Sequence, residues 1–272
     1  MGLVVSSVAN PFASTLHRGV EDAAALNGVA VFSASGDDDP AREQAIVSAL
    51  VRRRVDGLVI TSTAADHGYL VKEQERGTPI VFVDRRPTGL DVDAVVCDNA
   101  EGAAAAVRHL FEAGHRRIAY LGDRNDIRTA LERRDGFLEA MGQGGVPLNE
   151  IVVVEDLHDE EVAQAAVEAV LRLPEPPTAL FTSQNLVTVG AIRALRRLGL
   201  QHEIALVGFD DVLMADLLEP AVTVISQDPH RIGELATERL FARLAGDRSA
   251  PQTLVVPTRL IARGSGEIPP RG

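Results

Sequence analysis

Short apolar runs rich in β-branched residues alternate along this chain with longer segments whose apolar side chains recur every three or four positions. The first pattern is typical of a buried strand in a parallel sheet, and the second is typical of an amphipathic helix. Near the N-terminus, for example, Leu16, Val20 and Ala23 follow the helical spacing. The predicted strands cover residues 3–5, 29–32, 57–60, 80–83, 118–121, 151–154, 179–181 and 204–207.

The alternation of strand and helix predicts an α/β fold of doubly wound parallel sheets with helices on both faces. A chain of 272 residues, 46% of them hydrophobic, is long enough for two such lobes. The extended stretch 91–98 lacks helical spacing and is interpreted as a first crossing between lobes, and the extended runs 223–226 and 253–257 provide two more. The predicted N-terminal lobe comprises residues 1–97 and 227–255, and the predicted C-terminal lobe comprises residues 98–226 and 256–268.

The charge and the cysteine content exclude several classes of function. Acidic side chains outnumber basic ones by 39 to 27, and a formal charge of −12 repels a phosphate backbone, so this chain is not itself a DNA-binding module. The single cysteine, Cys97, excludes an internal disulfide and a paired-cysteine metal site, which fits a reducing cytoplasm. The sequence MGLVVSSVANPF lacks the features of a secretory signal, and no run approaches the roughly 20 apolar residues of a membrane-spanning helix. We therefore expect a cytoplasmic protein without a membrane partner.

Motifs for catalysis or cofactor binding are missing from the sequence. It contains no GxSxG elbow, no HExxH, no phosphate loop and no GxGxxG after a strand, so neither a cofactor nor a catalytic residue is expected. Clustered carboxylates at residues 37–39 and at Asp210 and Asp211 leave a Mg²⁺-dependent enzyme as a remote alternative. Residues 37–39 precede Pro40, however, and this order is also typical of a turn followed by a helix N-cap.

The order of strands and helices also selects candidate ligand-binding residues. In open α/β sheets a ligand binds beyond the carboxyl ends of the strands, and two facing lobes would contribute both sets of ends to one cleft. In the N-terminal lobe this rule selects Asn10, Pro11, Phe12, Asp37, Thr61, Asp84 and Arg85. In the C-terminal lobe it selects Asp123, Asp156, Leu157, His158, Ser183, Gln184, Asn185 and Asp210.

Eight stretches of the chain, in order, resemble the effector-binding core of the lactose-repressor/galactose-repressor (LacI/GalR) family. They are GLVVSSVANPF, RRRVDGLVI, PIVFVDRR, VVCDNAEGAAAAVRHLFEAGHRRIAYLGD, LERRDGF, PTALFTSQNLVTVGAIRALRRLGL, IALVGFDD and LVVPTRLIARGS. The resemblance covers nearly the whole chain and implies the fold of type I periplasmic sugar-binding proteins, in which three crossovers join two lobes. Family regulators carry a helix-turn-helix headpiece ahead of this core, and we expect this chain to lack it.

The resemblance implies ligand contacts for three of the acidic and basic candidates. Asp210 matches an aspartate that accepts hydrogen bonds from ligand hydroxyls, although it is also suited to capping a helix that would begin near Val212. Arg133, in LERRDGF, matches an arginine that donates a forked pair of hydrogen bonds, and of Arg133 and its neighbour Arg134 one is expected to face the cleft and the other solvent. Asp84 matches an aspartate on the wall of the cleft, or it caps a turn.

Four further candidates have apolar or amide side chains. Asn10 and Phe12 lie in NPF, where a family aromatic packs on the ligand, although Phe12 is equally suited to the core. Gln184, followed by Asn185, stands where most family members have Asn-Asp, so the hydrogen bonding at that wall must differ. Leu157 stands where the family often has a stacking aromatic, which predicts a less aromatic pocket.

Together these features predict the effector-binding and dimerisation core of a LacI-type transcriptional regulator, a repressor. A small molecule, foremost a sugar or sugar-like metabolite with polyols and purines as further options, would close the cleft and alter DNA binding by the headpieces of a homodimer. The alternative of the same fold is a periplasmic sugar-binding receptor of an uptake transporter. The missing signal sequence argues against that receptor.

Overall fold

The computed structural model describes residues 1–271, which form two compact units. Unit 1 comprises Met1–Cys97 and Asp228–Pro257, and unit 2 comprises Asp98–Gln227 and the residues from Thr258 onward. The strands are β1 (Gly2–Val5), β2 (Phe32–Ser35), β3 (Leu58–Ile60), β4 (Ile80–Val83), β5 (Asp93–Cys97), β6 (Ile118–Leu121), β7 (Val153–Val154), β8 (Ala179–Thr182), β9 (Ala205–Phe209), β10 (Thr223–Ser226), β11 (Thr253–Val256) and β12 (Arg259–Ile261). The α-helices are α1 (Pro11–Ala25), α2 (Pro40–Arg52), α3 (Val71–Glu75), α4 (Asn99–Glu112), α5 (Arg128–Gln143), α6 (Glu160–Val170), α7 (Asn185–Leu198) and α8 (Pro229–Leu244).

Unit 1 is built on a six-stranded parallel sheet with the order β11-β5-β4-β3-β1-β2. Successive side chains of β1 lie on opposite faces of the sheet. Leu3 and Val5 pack in the same core cluster as residues of α1 and α8, whereas Val4 packs with Leu50 of α2. Because both faces are covered, the inner strands are apolar throughout, as expected for a doubly wound sheet.

Unit 2 repeats this architecture with the order β12-β10-β9-β8-β6-β7. All neighbouring strands run parallel except β12, which is antiparallel to β10 at one edge. The predicted α/β class, with two doubly wound parallel sheets, is thus confirmed. In each sheet, some strands that follow one another in the chain are not neighbours in the sheet. Each sheet therefore has a point at which the strand order reverses, and in open α/β folds ligands bind at such a switch point.

Three helices of unit 1 begin with the same N-terminal capping motif. An aspartate or asparagine caps the helix, and proline occupies the first turn of α1, α2 and α8. The Asp39 carboxylate accepts a hydrogen bond from the Ala41 N–H at 2.8 Å, which confirms the predicted turn and N-cap before Pro40. These starts place the first turns of the helices directly after the carboxyl ends of the strands.

One sequence-based expectation about strands was wrong. The second strand was expected at residues 29–32, but β2 begins at Phe32, which pairs with Gly2, while Val29 and Val31 pack on the core ahead of the strand. This strand is at the edge of its sheet and partly exposed, so it lacks the apolar signature of the inner strands. Residues 91–98, interpreted as a crossing segment, contain the inner strand β5 between β4 and β11, and the chain passes from unit 1 to unit 2 at the end of this stretch, between Cys97 and Asp98.

The helix expected to begin near Val212 is absent from the described chain. Residues Ala215–Leu217 form a single 3₁₀ turn instead, preceded by Met214 with a positive φ of 65°. The segment leaves Leu213 and Leu217 exposed, so no continuous apolar face is available to hold a helix on the unit. Elsewhere in the described chain, no helix is both long and apolar enough to cross a bilayer.

Two glycines of α5 give a matched test of helix packing in unit 2. A Cβ at Gly136 would lie 2.2 Å from the carbonyl oxygen of Ala100 in α4, whereas a Cβ at Gly142 would meet no atom within 4 Å. We expect Gly136→Ala to lower the free energy of unfolding by about 3 kcal/mol through overpacking. Gly142→Ala should raise it by about 0.5 kcal/mol, because alanine restricts the unfolded chain. Calorimetric unfolding of the two variants checks the pair, and equal effects of the two substitutions would contradict the observed packing of α4 on α5.

At the start of β5, Asp93 binds two arginines of α8. It is 2% exposed and accepts hydrogen bonds from Arg243 Nε at 2.7 Å, from Arg239 Nη2 at 3.2 Å and from the Gln252 N–H at 2.9 Å. Burial raises the pKa of Asp93, but the hydrogen bonds and positive charges of these partners outweigh it, so the net pKa lies below the ordinary value.

This carboxylate makes the stability of unit 1 pH-dependent. Because the folded pKa lies below the unfolded value of about 3.9, the contribution is complete above that value and is lost as the pH falls through the folded pKa. We expect Asp93→Asn to cost about 3 kcal/mol near neutral pH, since two partly buried guanidinium groups lose a buried counter-charge. Below about pH 4, the wild type should lose more stability than the variant in calorimetric unfolding. An equal loss of stability on acidification in the wild type and in Asp93→Asn would show that Asp93 does not cause the pH dependence.

Candidate functional site

Two aspartates follow corresponding strands of the two sheets in the same strained conformation. Asp84 follows β4 with φ of 67°, and Asp210 follows β9 with φ of 70°. The backbone N–H of Asp84 donates to Val95 O, and that of Asp210 donates to Ile225 O, each at 2.9 Å. Both side chains are at least nine-tenths buried. Left-handed backbone is uncommon for residues other than glycine and is concentrated at functional sites, so these two positions are strong candidates within their own units.

In unit 1, Arg85 lies beside Asp84 at the carboxyl edge of the sheet. Its guanidinium donates from Nη1 and Nη2 to Asp38 Oδ1, both at 3.3 Å, and from Nη1 to Ser62 O at 3.2 Å. Asp84 Oδ2 lies 3.6 Å from Arg85 Nε. This Nε is buried and has no hydrogen-bond acceptor in the described part of the chain. The edge therefore combines carboxylates with an unsatisfied N–H donor.

Asn10 and Phe12 lie at the same edge of unit 1, after β1. The Asn10 side chain caps α1 by accepting a hydrogen bond from the Phe12 N–H at 3.0 Å. Phe12 is partly buried and packs against the core cluster under α1. Its ring therefore has a packing role already, and contact of Asn10 or Phe12 with a ligand stays a prediction.

In unit 2, Asp210 is held by a residue that the sequence analysis overlooked. Gln227, which follows β10, donates from Nε2 to Asp210 Oδ1 at 2.6 Å. The Oε1 atom of Gln227 is buried and has no donor among the described residues. The capping role considered for Asp210 is wrong, because no helix follows it, and the neighbouring Asp211 pairs with Arg263 at 2.6 Å.

The structure distinguishes the two neighbouring arginines of α5. Arg133 is 6% exposed, donates from Nε to Asn99 Oδ1 at 2.7 Å and from Nη1 to Ser183 O at 2.8 Å, and stacks 3.8 Å from the Phe209 ring centroid. Arg134 instead pairs with Asp135 and Glu155 and is more exposed. Arg133 is thus the buried member of the pair, at the carboxyl ends of β8 and β9.

Gln184 caps a helix at this same edge. Its Oε1 accepts a hydrogen bond from the Leu186 N–H at 3.0 Å, at the start of α7. The side chain is 6% exposed, and the adjacent Asn185 is also buried. The longer amide therefore satisfies the helix start, which is a structural reason for glutamine at this position, and its contact with a ligand stays a prediction.

Leu157 lies in the hydrophobic core of unit 2, 3% exposed and clustered with Leu121 and Val187. A leucine is stabilised by burial with other apolar side chains, and contact of Leu157 with a ligand stays a prediction. Next to it, His158 Nδ1 lies 2.7 Å from Asp123 Oδ1, at the edge of the sheet.

The carboxylates considered for a Mg²⁺ site have other partners. Asp37 pairs with Arg42 at 2.6 Å, and Asp38 pairs with Arg85. Among residues 1–271, no group of three or more His, Cys, Asp or Glu side chains is arranged to hold a metal ion. These acidic side chains therefore serve ion pairs within the protein.

Comparisons with known proteins agree with the fold. Residues 107–266 match the model of the periplasmic binding protein-like domain. The HTH-type transcriptional repressor PurR of Erwinia tasmaniensis is 32% identical over 97% of this chain and 79% of its own length. A LacI transcriptional regulator from a Rhodococcus species is 30% identical, covers 97% of each chain and superposes with a TM-score of 0.85. A LacI family regulator from Enterococcus faecium, solved with bound ribose, has the same fold at 23% identity, with 97% of each chain covered and a TM-score of 0.86.

The fold and these relatives define the ligand-sensing core of a transcriptional regulator. The chain belongs to the LacI/GalR family, as the eight sequence stretches indicated. Its relatives are transcriptional repressors, so the chain is a regulator and not an enzyme, and the periplasmic-receptor alternative is not favoured.

Proposed function

We propose that this regulator senses a neutral, polyhydroxylated sugar through the strand-end residues of both units, namely Asn10, Phe12, Asp84, Arg85, Arg133, Gln184, Asp210 and Gln227. The observation that carries the proposal is that each unit has a buried, unsatisfied polar group among its own strand-end residues. Unit 1 offers a buried donor, Arg85 Nε, and unit 2 offers a buried acceptor, Gln227 Oε1. A hydroxyl both donates and accepts, so a polyol is suited to both groups.

The charges at these edges favour a neutral ligand over a phosphorylated one. Asp84 and Asp210 are buried carboxylates, and in unit 1 Asp38 binds Arg85, the neighbour of Asp84. The arginines that face the edges already hold protein acceptors, Asp38 for Arg85 and Asn99 for Arg133. A phosphate would meet carboxylates of like charge, whereas sugar hydroxyls can donate to carboxylates. Because an Enterococcus faecium relative holds ribose, D-ribose is the first probe.

Calorimetric titration tests this preference directly. We expect D-ribose, or another neutral pentose of a small panel, to bind, and D-ribose 5-phosphate to bind at least about 10-fold more weakly because of the like charges. Hypoxanthine serves as the planar, hydroxyl-free comparison. Tighter binding of the phosphate or of hypoxanthine would contradict the proposed ligand class.

The effector is proposed to act by shifting a conformational equilibrium, which requires that it bind one state more tightly than the other. DNA contact then belongs to a helix-turn-helix headpiece outside these residues, in keeping with the net charge of −12. A regulator that acts on DNA works in the cytoplasm. We propose that each of the two lobes predicted from the sequence moves as a rigid body during this conformational change.

A homodimer is the proposed assembly, and unit 2 carries a suitable apolar surface. Leu213, Met214 and Leu217 are 85%, 59% and 75% exposed within one short segment. Large apolar side chains clustered on a surface mark association sites. We expect a Leu213→Glu, Leu217→Glu double variant to be monomeric in light scattering, while Leu148→Glu, at another exposed leucine of unit 2, leaves a dimer. Dimers of unchanged stability in the double variant would exclude this surface.

A further inference from the structure

A buried carboxylate lies under the candidate edge of unit 1. Glu43, in the first turn of α2, is 1% exposed. Its Oε1 accepts from Ser62 Oγ at 2.6 Å and from the Tyr69 hydroxyl, and its Oε2 accepts from the Thr63 N–H at 2.8 Å and Thr63 Oγ1 at 3.2 Å. All of these donors are uncharged, and no lysine or arginine among residues 1–271 forms an ion pair with Glu43.

An anionic side chain in this position is costly for the fold. Removing a carboxylate from water is unfavourable unless hydrogen bonds compensate, and an apolar side chain of similar volume often serves a core equally well. Burial also raises the pKa of the Tyr69 hydroxyl above its ordinary value, and the hydrogen bond and negative charge of Glu43 add to that increase, so tyrosine remains a donor. The arrangement supplies both oxygens of the Glu43 carboxylate with hydrogen-bond donors.

The Glu43 cluster fixes the loop that follows β3. Ser62 is held from one side by Glu43 and from the other by His67, whose Nε2 lies 2.8 Å from Ser62 Oγ. The His67 ring is itself immobilised, because the Thr88 N–H donates to Nδ1 at 2.9 Å and the Phe82 ring packs edge-on at 4.8 Å. The carbonyl of Ser62, with its side chain anchored on both sides, then accepts from Arg85 Nη1 at 3.2 Å.

We propose that Glu43 is a positioning residue that sets the orientation of Arg85 for the ligand, acting through Ser62. The inference rests on the proposed function, because Arg85 is the edge residue whose Nε is left for a ligand. A carboxylate is needed here because only an acceptor-only group can satisfy the Ser62, Thr63 and Tyr69 donors at once. Glu43→Gln presents an N–H₂ group to one of them and releases the loop.

The test follows the arginine Nε–H resonances of the ligand-free chain, with the Arg85 signal assigned by its loss in Arg85→Lys. We expect this signal to shift or broaden in Glu43→Gln, to change less in Tyr69→Phe, and to stay unchanged in Glu168→Gln. Glu168 is the matched control, a 9% exposed glutamate of α6 in unit 2 that binds Gln164, Arg172 and Arg197. An unchanged Arg85 signal in Glu43→Gln overturns the inference, and if that variant does not fold, Tyr69→Phe decides in the same way.

Affinity gives the second measurement, with D-ribose as the probe. Glu43→Gln should weaken binding by about 10-fold, the effect of losing one supporting hydrogen bond to a charged group. The double variant with Arg85→Lys should bind no more weakly than Arg85→Lys alone, since both changes act through one guanidinium. The inference is overturned if the losses of affinity from Glu43→Gln and Arg85→Lys add in the double variant, or if Glu168→Gln loses as much affinity as Glu43→Gln. If the wild type binds no sugar, the proposed function fails, while the Arg85 resonance still decides the role of Glu43.

Discussion

Arg133→Ala is expected to lower the free energy of unfolding of unit 2 by about 3 kcal/mol. The substitution leaves Asn99 Oδ1 and Ser183 O without their buried donors and removes the guanidinium that stacks on Phe209. For a unit of this size, that loss corresponds to a fall of about 10 °C in its calorimetric unfolding midpoint.

Arg134→Ala is the matched control, one residue along the same helix. Its partners Asp135 and Glu155 are partly exposed, so the ion pairs contribute at most about 0.5 kcal/mol. Similar destabilisation by the two alanine variants would mean that Arg133 does not hold the buried position described above.

Asp210→Ala is expected to weaken sugar binding by about 100-fold, because a buried carboxylate that accepts ligand hydroxyls is removed and Gln227 loses its partner. Asp211→Ala changes the adjacent carboxylate, which is bound to Arg263, and should alter the affinity by less than about 3-fold. Calorimetric titration of both variants with the same sugar gives the comparison. An Asp210→Ala variant with wild-type affinity would remove this residue from the site.

The sequence predicted inner strands well and edge elements poorly. β4 and β6 lie where their apolar runs placed them, because strands covered on both faces must be continuously apolar. β7 is reduced to Val153–Val154, and β2 begins three residues later than expected, since edge strands lack that constraint. The segment after Asp210 contains helix-forming residues, but no packing surface retains them as a helix.

The kind of site could be predicted from the sequence, but not all of the residues that form it. The choice of Arg133 over Arg134 was available from the helical spacing, because Ala130, Arg133 and Phe137 share one stripe of α5 and all three are buried. Gln227 follows β10, so the strand-end rule would have selected it if residues 223–226 had been interpreted as a strand of the sheet. The partners of Glu43 are separated from it by about 20 residues or more, and no local pattern indicates such contacts.

The central claim, that this chain is a small-molecule sensor, is tested most directly by thermal unfolding with and without a panel of ligands. The panel contains neutral sugars, polyols, sugar phosphates and nucleobases at millimolar concentration. A ligand at about 100 times its dissociation constant adds about 2.7 kcal/mol, a shift of several degrees for units of this size. We expect neutral sugars to raise the midpoint in the wild type and not in Asp210→Ala. A panel in which no compound raises the midpoint would contradict the account.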